Sequence, residues 1–318
     1  MRRCLPDPAL QAPPPGPPVT VLMALYQGER FLREQLDSIA AQRVEWRLVV
    51  GDDGSTDGGP QILTAFAGEW GGRVTVRKGP GKGAAGNFLA LLAELPAEPG
   101  FVALADQDDV WHSDKLARAL RALDGADGPA LYCSRVEIRD EALRPLGLSR
   151  LPVSPPSFRH ALVQNLVPGN TAVLNPMGAA LARRAAIGAA GVVMHDWWLY
   201  QLVTGVGGRI IHDPAPSLMY RQHGRNVVGA NDGPVARLAS LTRMLRGLHR
   251  DWSHANLREM QRLRDWLTPE NRCVLDRFAA LNGPSPLCRL QAMRRGGFYR
   301  QGRLSQATLW VAAALGRV

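Results

Sequence analysis

FVALADQDDVWHSDK, residues 101–115, is the stretch whose reading decides the fold. Phe101 to Ala105 form a short apolar run, typical of a strand buried on both faces. It ends abruptly in Asp106-Gln107-Asp108-Asp109. Helical spacing then begins in SDKLARALRAL (113–123), where Ser113 or Asp114 is placed to cap the helix. Strand, acidic turn and helix make one unit, and sheets built from such units bind ligands at the carboxyl ends of their strands.

Three similar units precede this one. VTVLMALY (19–26) reads as a buried strand, followed by a helix in GERFLREQLDSIAAQ with Phe31, Leu32, Leu36 and Ile39 at helical spacing. WRLVVGDD (46–53) is a second strand, ending in the turn residues GSTDG and followed by a helix around 60–68. RVTVRK (73–78) leads through a glycine-rich turn into the helix NFLALLAEL. This alternation predicts an α/β domain with a mostly parallel sheet and helices on both faces. From 130 to 232 the pattern is less regular, with strands expected at ALYCSRVEI, GNTAVLN and SLMYRQH. Beyond 234 it is helical, with breaks at Pro269 and at 283–286.

Composition narrows the class. The 318 residues suffice for one large domain and an appendage, and 46% hydrophobic with 21% charged residues is ordinary for a globular chain. No apolar run approaches the ~20 residues of a membrane span. Seven of the 24 prolines fall in the first 18 residues, which read as a disordered lead-in without a secretory signal. Cys4, Cys133, Cys273 and Cys288 stand far apart, which suits a reducing cytoplasm and gives no zinc or disulfide framework. The net charge of +10 belongs to residues 235–318, which hold fifteen arginines, no lysine and five acids. Such a segment is either a solvated helical face or a surface for an anionic partner: a membrane or nucleic acid.

Five clusters carry candidate chemistry. One of them, Tyr220-Arg221-Gln222-His223-Gly224, is a tight polar loop after a strand, whose His223 is either structural or part of a site. Asp106-Gln107-Asp108 has the DxD form, and two carboxylates on a tight turn can hold Mg²⁺ or Mn²⁺ against a diphosphate. Asp52-Asp53 ends a strand and can accept base or ribose hydroxyls, or merely form a turn. His195-Asp196-Trp197-Trp198 opens a helix. There Asp196 either caps the helix over core tryptophans, or takes a hydroxyl proton beside rings that stack on a sugar. GKGAAG (81–86) matches the dinucleotide fingerprint GxGxxG, with an acid about twenty residues on, and raises the alternative of a nicotinamide-dependent oxidoreductase. The fingerprint normally opens a domain's first strand–helix unit, however, whereas this match follows the third strand. A loop approaching a nucleotide or diphosphate accounts equally for its glycines and Lys82. A nucleic-acid-binding protein is the second alternative, but the C-terminal arginines sit on amphipathic patterns rather than on a recognised reading module.

VLMALYQGERFLREQLDSI, DDGSTDG, GNFLALL, LADQDDVWHSDK, NLVPGNTAVLN, HDWWLY and YRQHGRNVVGA, in this order, resemble family 2 glycosyltransferases, specifically the bacterial rhamnosyltransferase-like branch. The resemblance runs from about Val19 to Ala230. It implies a GT-A fold at 19–232, with a nucleotide-sugar half at about 19–125, an acceptor half at about 126–232 and a basic helical region at 233–318. It also implies inversion at the anomeric carbon, and a donor such as dTDP-rhamnose or a UDP-sugar serving a surface-glycan or lipid-linked acceptor. Tyr26 and Asp53 fall where the family contacts the base, and Lys82, Asn87 and Gln107 complete the nucleotide-sugar side. Asp106 and Asp108 form the DxD, with Asp108 as metal ligand, and His223 reaches the metal or diphosphate. Asp196 falls at the general base; Gly169, Thr171, Trp197 and Trp198 fall on the acceptor side. Gln27 departs from the family's usual Asn, and Ala24-Leu25 replaces small hydroxyl residues. The expected setting is the cytoplasm, with Arg243, Arg246, Arg250, Arg294, Arg295, Arg300 and Arg303 available to an anionic membrane surface.

Overall fold

The computed structural model describes residues 18–224 and 248–318. The proline-rich lead-in (save Pro18), the boundary near 232, and Arg243 and Arg246 lie outside the described residues. In chain order the elements are β1 (Val19–Leu25), α1 (Glu29–Ala40), β2 (Trp46–Asp52), α2 (Gly59–Glu69), β3 (Val74–Lys78), α3 (Gly83–Ala93) and β4 (Val102–Ala105). There follow β5 (Val110–Trp111), α4 (Lys115–Leu123), β6 (Ala130–Arg139), β7 (Pro145–Leu148), α5 (Phe158–Ala161), β8 (Val173–Leu174), α6 (Pro176–Ala186), α7 (His195–Gly205) and β9 (Arg209–Arg221). The C-terminal helices are α8 (Leu248–Arg262), α9 (Pro269–Ala279), α10 (Pro286–Gly296) and α11 (Arg303–Ala314).

The strands form one sheet in the order β3-β2-β1-β4-β8-β6-β9-β5, with β7 added to β6. β3, β2, β1 and β4 run parallel, as do β6 and β9, while β8, β5 and β7 pair antiparallel. Period-2 alternation divides β1 between two layers. Val19, Val21, Met23 and Leu25 face a cluster with Leu32, Leu36, Leu63 and Phe66 from α1 and α2, whereas Leu22 faces Phe88 and Leu92 of α3. That second layer continues without a break into the C-terminal helices: Val274, Phe278, Met293 and Leu309 share it with Phe158, Leu202 and Val203. The basic segment is thus packed against α5 and α7 through an apolar face, with each buried large side chain contributing roughly 1.5–3 kcal/mol.

Helix starts follow ordinary capping chemistry. Asn175, Thr268 and Ser285 cap α6, α9 and α10, each with a proline in the first turn behind it. The expected cap of α4 is a correction: Asp114 occupies the cap position but makes no cap hydrogen bond. The Leu116 amide is instead satisfied by Gln42 Oε1 at 3.0 Å, from the end of α1. That bond ties the start of α4 to the end of α1.

Candidate functional site

A cleft of about 3150 Å³ opens at the carboxyl ends of β1, β2 and β4. It gathers Tyr26, Asp53, Lys82, Asn87, Asp106, Gln107, Asp108, Gly169, Asp196, Trp197 and His223. Thr171 and Trp198 are not among its lining residues, which is a correction for both. Thr171 is fully buried and spends its hydroxyl on the Pro168 carbonyl (2.9 Å) and the Ser134 amide (3.2 Å). Trp198 is fully buried in the core.

On the first side, the Asp52-Asp53 pair divides its work. Asp52 Oδ1 accepts from the Ser55 amide and hydroxyl at 2.9 and 2.7 Å, closing the turn that Gly54 completes at φ 91°. Asp53 faces the cleft and accepts from the Gly81 amide at 3.1 Å. Tyr26, 58% exposed, presents its ring to the cleft, and the Gln107 amide brackets its backbone by accepting from the Tyr26 N–H (2.8 Å) and donating to its carbonyl (3.0 Å). Gln107 therefore ties the turn after β4 to the turn after β1. Asn87 is buried and donates to the Gly51 carbonyl at 2.7 Å, holding α3 against β2.

The glycines of GKGAAG have structural causes. Gly81 and Gly83 adopt φ 67° and 70°, and a Cβ on Gly86 would stand 2.5 Å from Cβ of Lys82. The run follows β3, at the sheet's edge, rather than the central β1 where a dinucleotide fingerprint belongs.

The acidic turn is the electrostatic centre. Burial, then the charges of Asp108 and Asp196, push the Asp106 carboxyl up to about 7, against the pull of Lys115. Asp109 is fully buried and held well above the usual carboxylate range by burial and its two acidic neighbours, although Asn170 donates to it at 2.6 Å. Beneath them Lys115, also fully buried, donates to the Asn170 carbonyl at 2.8 Å and lies 4.4 Å from the Trp111 ring centroid. Its burial draws the ammonium down to about 7. β5 explains how His223 arrives: Val110 pairs with Met219 and Trp111 with Leu218, so the end of β9 runs beside the turn. His223 Nε2 then lies 2.8 Å from Asp108 Oδ2, with its ring 5.1 Å from that of Phe31.

Asp196 sits in the first turn of α7. Its Oδ1 accepts the Trp197 amide at 2.7 Å, satisfying one of the helix's unpaired N–H groups. Trp197 lines the cleft but is only 4% exposed, and its indole N–H donates to the Ala161 carbonyl at 2.6 Å. Gly169 passes so close that an added Cβ would meet His195 Nε2 at 2.8 Å and Asp196 Cβ at 3.3 Å.

Among the described residues no three His, Cys, Asp or Glu side chains converge as a ready-made metal cage. The site offers one carboxylate and one imidazole in contact, inside a concentration of negative charge. That donor set is wrong for a structural zinc site, which needs four protein ligands. It fits Mg²⁺ or Mn²⁺, which bind through one or two protein groups and fill the rest of their coordination with substrate phosphates and water.

Several supporting residues escaped the sequence reading. Arg221, 2% exposed, donates to the Asp108 carbonyl at 3.1 Å, to the Glu141 carbonyl and to Glu34, and lies over the Phe31 ring. Asp109, Lys115 and Asn170 form the floor beneath the DxD. All lie inside quoted motifs, but the burial of a single polar residue leaves no periodic signal in the sequence.

With the geometry in place, the comparisons agree with it. The chain is 30% identical over 220 residues to the dTDP-rhamnosyl transferase RfbG of Shigella flexneri, covering 66% of this chain and 74% of that one. It is 35% identical over 118 residues to the succinoglycan biosynthesis protein ExoW of Rhizobium meliloti, covering 36% and 37%. The crystal structure of S. aureus TarS 1-349 in complex with UDP-GlcNAc superposes with a TM-score of 0.51 at 14% identity, over 94% of this chain and 90% of that one, which shows the shared GT-A fold. The sequence model of glycosyl transferase family 2 matches residues 20–188, and the chain belongs to that family as a glycosyltransferase.

Proposed function

We propose that this glycosyltransferase moves rhamnose or a similar sugar, with inversion and with a divalent metal, from a nucleotide diphosphate to a cell-surface polysaccharide or lipid-linked glycan. The observation that carries the reading is the 2.8 Å contact of Asp108 with His223, in the same cleft as Asp106 and Asp196. RfbG, a dTDP-rhamnosyl transferase by name, supports dTDP-rhamnose as the donor, with a UDP-sugar as the alternative.

The donor lies between Tyr26 and Asp53, which take the base and ribose, and the acidic turn, and Lys82, on the loop after β3, serves the diphosphate. Mg²⁺ or Mn²⁺ held on Asp108 and His223 would supply neutralisation of charge on the diphosphate. Asp196 takes the proton of an acceptor hydroxyl. That oxygen bonds to the anomeric carbon from the face opposite the nucleotide, and the carbon–oxygen bond to the diphosphate breaks with its electron pair leaving on the diphosphate. Gly169 and Trp197 shape the acceptor side. A screen of nucleotide-sugar hydrolysis with Mn²⁺ or Mg²⁺ tests the reading, because slow hydrolysis of the right donor needs no acceptor. Metal-stimulated release of dTDP or UDP is expected; no hydrolysis of any donor, or hydrolysis unaffected by metal chelation, contradicts it.

A further inference from the structure

Far along the chain from the acidic turn, the cleft has a second charged corner, and it is positive. Residues 277–318 contain seven arginines and no lysine, aspartate or glutamate. Some are committed to backbone: Arg277 donates to the Arg295 carbonyl, and Arg289 to the carbonyls of Gly283, Ala313 and Ala314. The guanidinium of Arg300 makes no hydrogen bond or ion pair among the described residues. Its Nε is buried without a partner, and burial draws the group down to about 10. Arg300 lines the cleft, as do Arg303 and Ser305.

This corner is held firmly. The Arg300 amide donates to Gln306 Oε1 at 2.7 Å and the Gln301 amide to Gln164 Oε1 at 2.7 Å, while Gln301 Oε1 accepts from Val153 and Ser154. A cation taken partly out of water on a firmly held backbone, without a counter-charge, is unfavourable unless an anion replaces the lost solvation. α11 starts beside it from Gly302, at φ 82°, and no side chain caps its first turn.

The corner also opens onto apolar surface. Leu304, Val311 and Leu315 are 71%, 53% and 54% exposed and, at spacings of seven and four, share one face of α11. Leu304 lines the cleft as well, and exposed Leu151 and Val153 sit on the loop that Gln301 holds.

We propose that Arg300 and Arg303, with the first turn of α11, form a phosphate-binding subsite on the acceptor side, and that its ligand is an amphiphile whose apolar chain lies along Leu304, Val311 and Leu315. The proposal rests on reading this half of the cleft as the acceptor half. It specifies a phosphate-bearing lipid acceptor over a plain polysaccharide.

The test is calorimetric titration of octyl phosphate (below its micelle concentration), inorganic phosphate and octyl glucoside into the full-length protein and into Arg300→Gln and Arg303→Gln. Sedimentation with phosphatidylcholine vesicles containing phosphatidylglycerol runs in parallel. Octyl phosphate is expected to bind wild type at least tenfold tighter than either other probe, and each variant to lose about tenfold of that affinity. Equal affinity for octyl phosphate and inorganic phosphate would overturn the amphiphile, leaving a free-anion site. Unchanged octyl phosphate binding in the variants overturns the subsite; if they lose only vesicle binding, the arginines serve a membrane surface instead. Should Arg300→Gln melt far below wild type, the exposed Arg303 decides alone. Wild-type donor hydrolysis, measured alongside, separates the two readings: its absence sinks the transfer reaction, while the binding comparison still decides the subsite.

Discussion

His223 Nε2 and Asp108 Oδ2 stand 2.8 Å apart although 115 residues separate them in the chain. The two-residue strand β5 brings them together by pairing with the end of β9, and Arg221 anchors the same strand end to the Asp108 carbonyl. Both side chains are therefore positioned by backbone and by a buried guanidinium before any donor arrives.

Asp108→Ala should remove metal-dependent binding of the nucleotide diphosphate, and His223→Ala should weaken it by about tenfold or more, the scale at which a metal's supporting groups act. Calorimetry with and without Mn²⁺ reads both. Equal affinity in wild type and Asp108→Ala, with and without metal, would refute the metal assignment.

Gly169→Ala should damage transfer without damaging donor binding. The new methyl group meets His195 Nε2, and the His195 ring is stacked 4.0 Å from that of Phe88 and cannot retreat, so strain passes to Asp196. Displacing a reacting group by a fraction of an ångström costs about 10- to 100-fold in kcat. A kcat within twofold of wild type would show that the close approach is idle.

Trp198 should behave as core. Trp198→Phe is expected to keep transfer per folded molecule within a few-fold, and Trp198→Ala to cost about 3–5 kcal/mol of stability. Loss of acceptor affinity in a stable Trp198→Phe would restore its stacking role.

The first half of the chain was legible because its signals are local. VTVLMALY, WRLVVGDD and FVALA are strands long or apolar enough to read unaided, each followed by helical spacing, and their polar ends do converge on the cleft. The acceptor half was less so. Its strand β8 has two residues, β9 extends from Arg209 through the mixed run HDPAPS, and β5 is hidden inside the motif that follows the DxD. Trp197 and Trp198 look alike in sequence. Only the direction in which α7 packs separates the one at the cleft wall from the one in the core. The arginine-rich C-terminus reads as a charged surface because charge is conspicuous, whereas the apolar face through which Phe278, Met293 and Leu309 join the core is diluted among arginines.

The buried histidines His160 and His195 should cost stability as the medium is acidified through the histidine range. Burial chiefly, aided by the Arg300 charge and opposed by a hydrogen bond with Gln164, draws His160 from 6.5 to about 4. Between these values the unfolded chain binds a proton that the folded chain does not, so stability rises with pH up to about 6.5 and is lost as pH falls toward 4. The contribution is about 3 kcal/mol at most. His195, lowered by its own burial, acts in the same direction. Melting temperature against pH should be flatter in His160→Gln than in wild type; parallel curves would contradict the assignment.

The assignment of Asp196 as general base is the central claim, and Asp196→Asn tests it most directly because the substitution keeps size and removes the proton acceptor. Donor affinity by calorimetry should stay within a few-fold of wild type while sugar transfer falls by roughly 10²–10⁴-fold, the usual range for loss of a general base. Transfer within a few-fold of wild type, at unchanged donor affinity, would contradict the account.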